Sequence, residues 1–297
     1  MSEGHALVAI SSEGLSAQIN PLGAELHALS DSEGRGLLWD GDPSVWSGRA
    51  PILFPIVGAL NGGQYRWGGK SYALPKHGFA RRSLFEVVEA SPSSATFRLE
   101  WSEETLLVYP FRFQLDVRFS VSGATLDIVA TVRNLDAAAA MLASFGFHPA
   151  FRWPLPYGQP RAEHRIEFEA PEPEPIRRID ADGLVRPQGL VTPVRGRELA
   201  LRDELFADDA LIFDPVHSRK VRYGAGAGPR LEVAFPGTPR LGVWTKPGAG
   251  YVCIEPWRGV ADPQGFDGDL SAKPGVFAVE PLQSAVMTMS VGLIVGG

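Results

Sequence analysis

Hydrophobic positions in this chain recur every second residue. In FRFQLDVRFSV, Phe111, Phe113, Leu115, Val117, Phe119 and Val121 alternate with Arg112, Gln114, Asp116, Arg118 and Ser120. That is the period of a strand with one buried face and one wet face. Phe97, Leu99 and Trp101 precede it, and Leu126, Ile128 and Val132 follow it across the turn SGA. Ala285, Met287, Met289, Val291 and Leu293 repeat the pattern late in the chain. Turn-forming residues, 33 glycines and 25 prolines, are spread throughout, and no stretch sustains an amphipathic helical pattern for three turns. The pattern predicts an all-β protein of antiparallel strands, a large sandwich.

One segment breaks the pattern. In APEPEPIRR, Ala170 to Arg178, prolines alternate with acids, so no hydrophobic face forms, and a surface loop or edge segment is expected. Strand patterns resume beyond it without a linker, which predicts one domain over residues 1–297. No repeat of 20–50 residues is visible, against a propeller.

Composition narrows the function classes. A content of 44% hydrophobic and 21% charged residues is that of a soluble globular protein. The net charge of -6 argues against a nucleic-acid binder, which normally shows a basic face to neutralise phosphates. The single cysteine, Cys253, rules out an internal disulfide and a multi-cysteine zinc site, and a reducing cytoplasm is the expected location. The opening MSEGHALVAISSEG has no basic segment leading into an apolar run, and no long apolar stretch occurs, so neither export nor membrane insertion is expected.

Four stretches place ionisable groups among apolar residues: KHGFAR around His77, FGFHPAF around His148, FADDALIF around Asp208 and Asp209, and YVCIEPWRG around Glu255. A histidine beside a glycine turn serves either as a structural hydrogen-bonding residue or as a ligand group. His148 sits between Phe145, Phe147 and Phe151, where an imidazole is costly to bury unless a partner or a task retains it. Glu255 extends the face of Tyr251 and Cys253, with Val252 and Ile254 on the other, at the end of a nearly apolar strand. Lost solvation there raises a carboxylate's pKa and suits a general base; the alternative is a pair with Arg258. In the aspartate pair, either both acids are structural or one caps a turn while the other faces inward. Trp153, Trp244 and Trp257 are either core residues or a stacking surface for sugar rings.

Several chemistries lack their motifs. There is no G-x-S-x-G elbow, Walker loop or G-x-G-x-x-G, and no H-x-H or H-E-x-x-H spacing for a metal.

Taken in order, PILFPIVGALNGGQYRWGGKSYALPKHGFAR, FGFHPAF, DALIF and YVCIEPWRGVAD with KPGVF resemble the aldose 1-epimerase (galactose mutarotase) family, and more closely its LacX-like branch. The resemblance runs from about Leu7 to Val295. It implies a β-supersandwich with a concave sugar-binding cleft, interconversion of the α and β anomers of a hexose, and no cofactor or metal. By the same resemblance Glu255 is the base at the anomeric hydroxyl and His148 the acid at the ring oxygen. His77 and Asp209 bind substrate, and Arg81 and Trp257 are expected in the cleft. The family carries an arginine where this chain has Ala59, a loss that Arg81 or Arg49 would have to make good. Expected partners are a small-molecule sugar or a sugar phosphate, the latter held by Lys76, Arg81 and Arg82, in a monomer or homodimer. A hexose-6-phosphate 1-epimerase and a non-catalytic sugar-binding protein remain as alternatives.

Overall fold

The computed structural model describes residues 6–226 and 228–295. Its alternating segments pair into a nine-stranded antiparallel sheet. In spatial order the strands are Glu198–Ala200, His164–Phe168, Lys220–Ala225, Arg230–Ala234, Ser284–Ile294, Thr125–Asn134, Phe113–Ser122, Ser94–Glu100 and Glu86–Ala90. Register follows from hydrophobic matching. Phe119 lies opposite Ile128, which lies opposite Met289; Val117, Ala130 and Met287 form the next row, all buried. A slip of one residue would turn every one of these side chains to water. On the wet face the register sets Arg98 opposite Asp116, whose carboxylate takes two guanidinium hydrogen bonds at 2.7 and 2.8 Å.

A second antiparallel sheet is built on Tyr251–Arg258. Arg240–Trp244 flanks it on one side, with Leu211–Phe213 beyond; Phe145–Phe147 and then Ile52–Leu53 lie on the other, and Ala150–Arg152 pairs with its first residues. A three-stranded sheet, Val8–Ser11, Leu15–Asn20 and Glu25–Asp31, packs against the large one. One main core runs between the layers, with Phe54, Phe97, Phe113, Phe145 and Phe151 fully buried.

The α-helix Glu103–Val108 is short, as the lack of a sustained helical pattern leads one to expect. Ser102 and Thr105 cap it reciprocally. No helix among the described residues is long and apolar enough to cross a membrane.

The proline-rich segment departs from expectation. It forms no strand of its own, but it is not simply surface. Glu172 is buried and accepts the backbone N–H groups of His217 and Ser218 at 2.9 and 2.8 Å, and Arg178 is buried as well. Its end joins the second sheet, where Arg177 and Ile212 exchange backbone hydrogen bonds.

Candidate active site

Tyr251–Arg258 separates two environments. Val252 and Ile254 enter the main core, whereas Tyr251 and Cys253 pack with Trp39, Ala150 and Ala249 on the opposite face. Glu255 and Trp257 continue that second face and line a cleft of about 200 Å³. Glu255 is 2% exposed and lies within the strand rather than at its end. It does not pair with Arg258, whose guanidinium lies 4.3 Å over the Phe277 ring. Its partner is His148, with Nε2 at 3.1 Å from Oε2.

His148 follows the strand Phe145–Phe147. The flanking phenyl rings go into the core, and the imidazole enters the cleft against Trp46 and Trp244, at centroid distances of 5.3 and 6.1 Å. Its Nδ1 is buried without a partner. Burial drives both members of the pair towards their neutral forms. It pushes Glu255 well above the usual carboxylate range, although Lys76 pulls it back in part, and it pushes His148 down to about 3. Side by side, the two groups are placed to share one proton, and burial disfavours the arrangement in which both are charged.

That sharing has a stability consequence. Between pH ~6.5 and ~3 the unfolded chain binds a proton at His148 that the folded site refuses, so the contribution of His148 to stability is lost as pH falls through that window, while the raised Glu255 works in the opposite sense. Urea unfolding at a series of pH values should show a shallower acid slope in His148→Gln than in the natural chain. An identical slope would mean that His148 is not the linked group.

His77 enters the cleft from a strained turn. Its φ is +68° and that of Gly78 is +72°. At Gly78 a Cβ would lie 2.2 Å from the Phe54 carbonyl oxygen, so only glycine fits. The imidazole Nδ1 accepts the Gly58 N–H at 3.1 Å, while Gly58 O accepts the His77 N–H at 2.9 Å. Burial, with the nearby His148, Lys76 and Arg81, holds the ring neutral. An Nδ1 that accepts leaves the proton on Nε2, so His77 is a fixed hydrogen-bond donor.

Asp209, not Asp208, lines the cleft. Its φ of +65° is one that aspartate tolerates, and its Oδ1 accepts the Ala210 N–H at 2.6 Å. Arg81 also lines the cleft, donates from Nη2 to the Lys76 carbonyl at 3.1 Å, and has a buried, unpartnered Nε. Lys76 lies beside it. Arg82 and Arg49 are elsewhere, the latter donating to His27 O at 2.9 Å. Ala59 is buried behind the wall, its carbonyl accepting the Asp262 N–H. Trp257 and Trp244 form cleft walls, whereas Trp153 is core, with Arg161 stacked 3.5 Å over it.

Two features escape sequence reasoning. Trp46 closes the cleft over His148 from a loop whose sequence carries no strand pattern. Behind the wall, Lys273 and Asp262 form an ion pair at 2.6 Å, with side chains 1% and 2% exposed. Asp262 Oδ2 accepts the Asn61 N–H, and Lys273 also donates to Val260 O, so the pair ties residues 59–61 to residues 260–262. Both lie in stretches that carried the resemblance, and a lysine or aspartate there reads as an ordinary surface charge.

His148, Cys253 and Glu255 offer three potential metal-ligand atoms within 4.8 Å of one another. Coordination would require the thiolate and the carboxylate, both of which burial disfavours.

The fold and the cleft define a β-sandwich protein that carries a buried carboxyl–imidazole pair beneath aromatic walls. A family model described as "Aldose 1-epimerase" matches residues 6–258, and the chain belongs to that family. It is 30% identical to the chromosomal protein LacX of Lactococcus lactis subsp. lactis, over 97% of this chain and 99% of that one. A galactose mutarotase related enzyme from Lactobacillus acidophilus superposes with a TM-score of 0.89 at 31% identity, covering 97% of each chain. A galactose mutarotase-like protein from Lactobacillus casei ATCC 334 gives 0.87 at 27% identity, covering 97% of this chain and 100% of that one. These likenesses bear out the all-β sandwich read from the alternating pattern.

Proposed function

We propose that the chain is an aldose 1-epimerase, an isomerase that interconverts hexose anomers with Glu255 as base and His148 as acid. The observation that carries this reading is the 3.1 Å pair in the cleft. Mutarotation acts on two oxygens bonded to the same carbon, the C1 hydroxyl and the ring oxygen. An acid and a base for that task must therefore sit side by side.

In the ring-opening step Glu255 takes the proton of the C1 hydroxyl, the bond from C1 to the ring oxygen breaks, and His148 gives its proton to that oxygen. Rotation about the bond between C1 and C2, followed by the reverse transfers, yields the other anomer. The pair holds one proton before and after, and only its position changes. The sugar displaces the resting arrangement by offering its hydroxyl to the carboxylate, which Lys76 already favours. His77 donates its Nε2–H from across the site, Asp209 accepts from hydroxyls, and Trp46, Trp244 and Trp257 cover the ring. Polarimetry of freshly dissolved α-hexose tests the reading; no rate above the spontaneous background on any hexose or hexose phosphate would overturn it.

A phosphorylated hexose is favoured as substrate by one observation. Lys76 and Arg81 line the cleft, and neither forms an ion pair among the described residues. A phosphate would supply the missing anion. KM for hexose 6-phosphate should then lie below that for the free hexose, with the advantage reduced about tenfold or more in Lys76→Met, on the scale of one charged hydrogen bond. Equal KM values for both sugars in the natural chain would exclude this substrate class. The guanidinium of Arg81 lines the cleft and offers a charged donor there in place of the arginine that Ala59 lacks.

A further inference from the structure

The proline-rich segment ends at Arg178, a residue that the proposed chemistry leaves without a role. Its guanidinium is buried, and its hydrogen-bond partners are all backbone carbonyls. Nη1 donates to Asp209 O at 2.5 Å and, at a longer 3.4 Å, to Asp208 O, while Nη2 donates to Leu205 O at 2.6 Å. Three carbonyls of one turn thus converge on one cation. Arginine holds its charge under burial and presents its donors in a fixed plane, so it can set the relative positions of several acceptors at once. A lysine in the same place has neither the plane nor the span.

What the cation holds is the backbone beneath Asp209. That residue has a φ of +65°, its amide donates to Phe206 O at 3.1 Å, and its carboxylate is committed on one side to the Ala210 amide. Arg178 itself is anchored on both flanks. Arg177 is laddered to Ile212, the Arg178 carbonyl accepts the Arg186 N–H, and Ile179 forms part of the cleft wall. The clamp therefore links a fixed wall of the cleft to a turn whose own hydrogen bonds, Asp209 N–H to Phe206 O and Ala210 N–H to Asp209 Oδ1, are all local.

We propose that Arg178 is the positioning residue for Asp209, holding the Leu205 to Asp209 turn so that the free carboxylate oxygen faces the sugar hydroxyls. This rests on the sugar-binding reading of the cleft. An acid that grips hydroxyls in ground state and transition state alike affects KM, and kcat much less.

The experiment compares the natural chain with Arg178→Met, Arg178→Lys, Asp209→Asn and the double variant Arg178→Met with Asp209→Asn. The sugar is whichever hexose or hexose phosphate the natural chain turns over best. Arg178→Met should raise KM roughly 10- to 100-fold, the scale of a lost charge-assisted contact, with kcat changed by less than about threefold. Asp209→Asn should do the same. The double variant should be no worse than the poorer single one, because both remove the same contact, and Arg178→Lys should recover part of the loss.

In the unliganded protein, hydrogen exchange at Asp209 and Ala210 should speed up in Arg178→Met while that of the large sheet stays unchanged. A folded Arg178→Met with natural KM overturns the proposal, as do single effects that multiply in the double variant. Where Arg178→Met does not fold, an Arg178→Lys with natural KM overturns it as well. The exchange measurement separates the two readings. A natural chain without catalysis or sugar binding, in which Arg178→Met still loosens residues 205–210, refutes the sugar reading and leaves the clamp standing.

Discussion

Replacing Glu255 with glutamine should lower catalysed mutarotation by about 10²- to 10⁴-fold, the usual worth of a positioned general base, and should leave the protein at least as stable as before. The two halves of this expectation have one cause. The carboxyl is buried in the middle of a strand, and burial penalises its charged form. In the unfolded chain the same group ionises near the ordinary carboxylate value, so the folded state loses stability as pH rises from that value towards the raised one. Glutamine cannot ionise and does not pay this penalty, yet its amide keeps the shape and can still meet His148. Polarimetry should therefore show only the background rate while Tm at neutral pH is unchanged or higher. Undiminished catalysis would remove Glu255 from the mechanism. Lost catalysis together with a strongly lowered Tm would show that the carboxyl is needed for folding instead.

The largest stability effect is expected behind the cleft. Asp262→Ala leaves the Lys273 ammonium buried without its partner and the Asn61 amide without its acceptor. Removing one member of a buried ion pair typically costs about 3–5 kcal/mol. Burial already draws the Lys273 pKa down, and Asp262 holds it up. Without the aspartate the ammonium should shed its proton more readily in the folded state. The unfolded chain then binds more protons than the folded one, so the variant's deficit should shrink as pH is raised from neutrality towards about 9.5. Adding Lys273→Met should restore much of the stability, since no charge is left stranded. Urea unfolding at the two pH values checks all three expectations, and a loss below about 1 kcal/mol in Asp262→Ala would mean that water reaches Lys273.

The large sheet was legible because its strands have one buried face. Phe113 to Val121, Leu126 to Val132 and Met287 to Val291 alternate cleanly, and alternation is a local property of the chain. The strand Tyr251–Arg258 gives no such signal beyond its first residues, being buried on both faces, one by the core and one by the cleft. Its polar residues still singled out Glu255, and a histidine framed by phenylalanines singled out His148. Their adjacency was not legible, since it depends on strand pairing between distant segments. The resemblance supplied their roles, and the geometry brings them within 3.1 Å.

Arg178, Trp46 and the Lys273 to Asp262 pair show the limit. In sequence each is an ordinary charged or aromatic residue in a loop, and only packing with distant segments gives it its place: burial for Arg178 and the ion pair, contact with His148 for the half-buried Trp46. Proline and acid in Ala170 to Arg178 argue against a strand, correctly, but say nothing about whether a loop is covered. Asp208 and Asp209 are chemically identical, and only the backbone turn at Asp209 decides which of them lines the cleft.

The position of Ser284–Ile294 bears on how this protein is made. It lies between Arg230–Ala234 and Thr125–Asn134, joining two blocks of four strands. Until a ribosome has delivered it, the first block ends at Thr125–Asn134 and the second at Arg230–Ala234, each with an unpaired edge. Open edges of apolar strands invite pairing between nascent chains. The nine-stranded sheet cannot close before that strand emerges, and a ribosome that stalls before residue 284 leaves a chain without the strand that joins its two blocks.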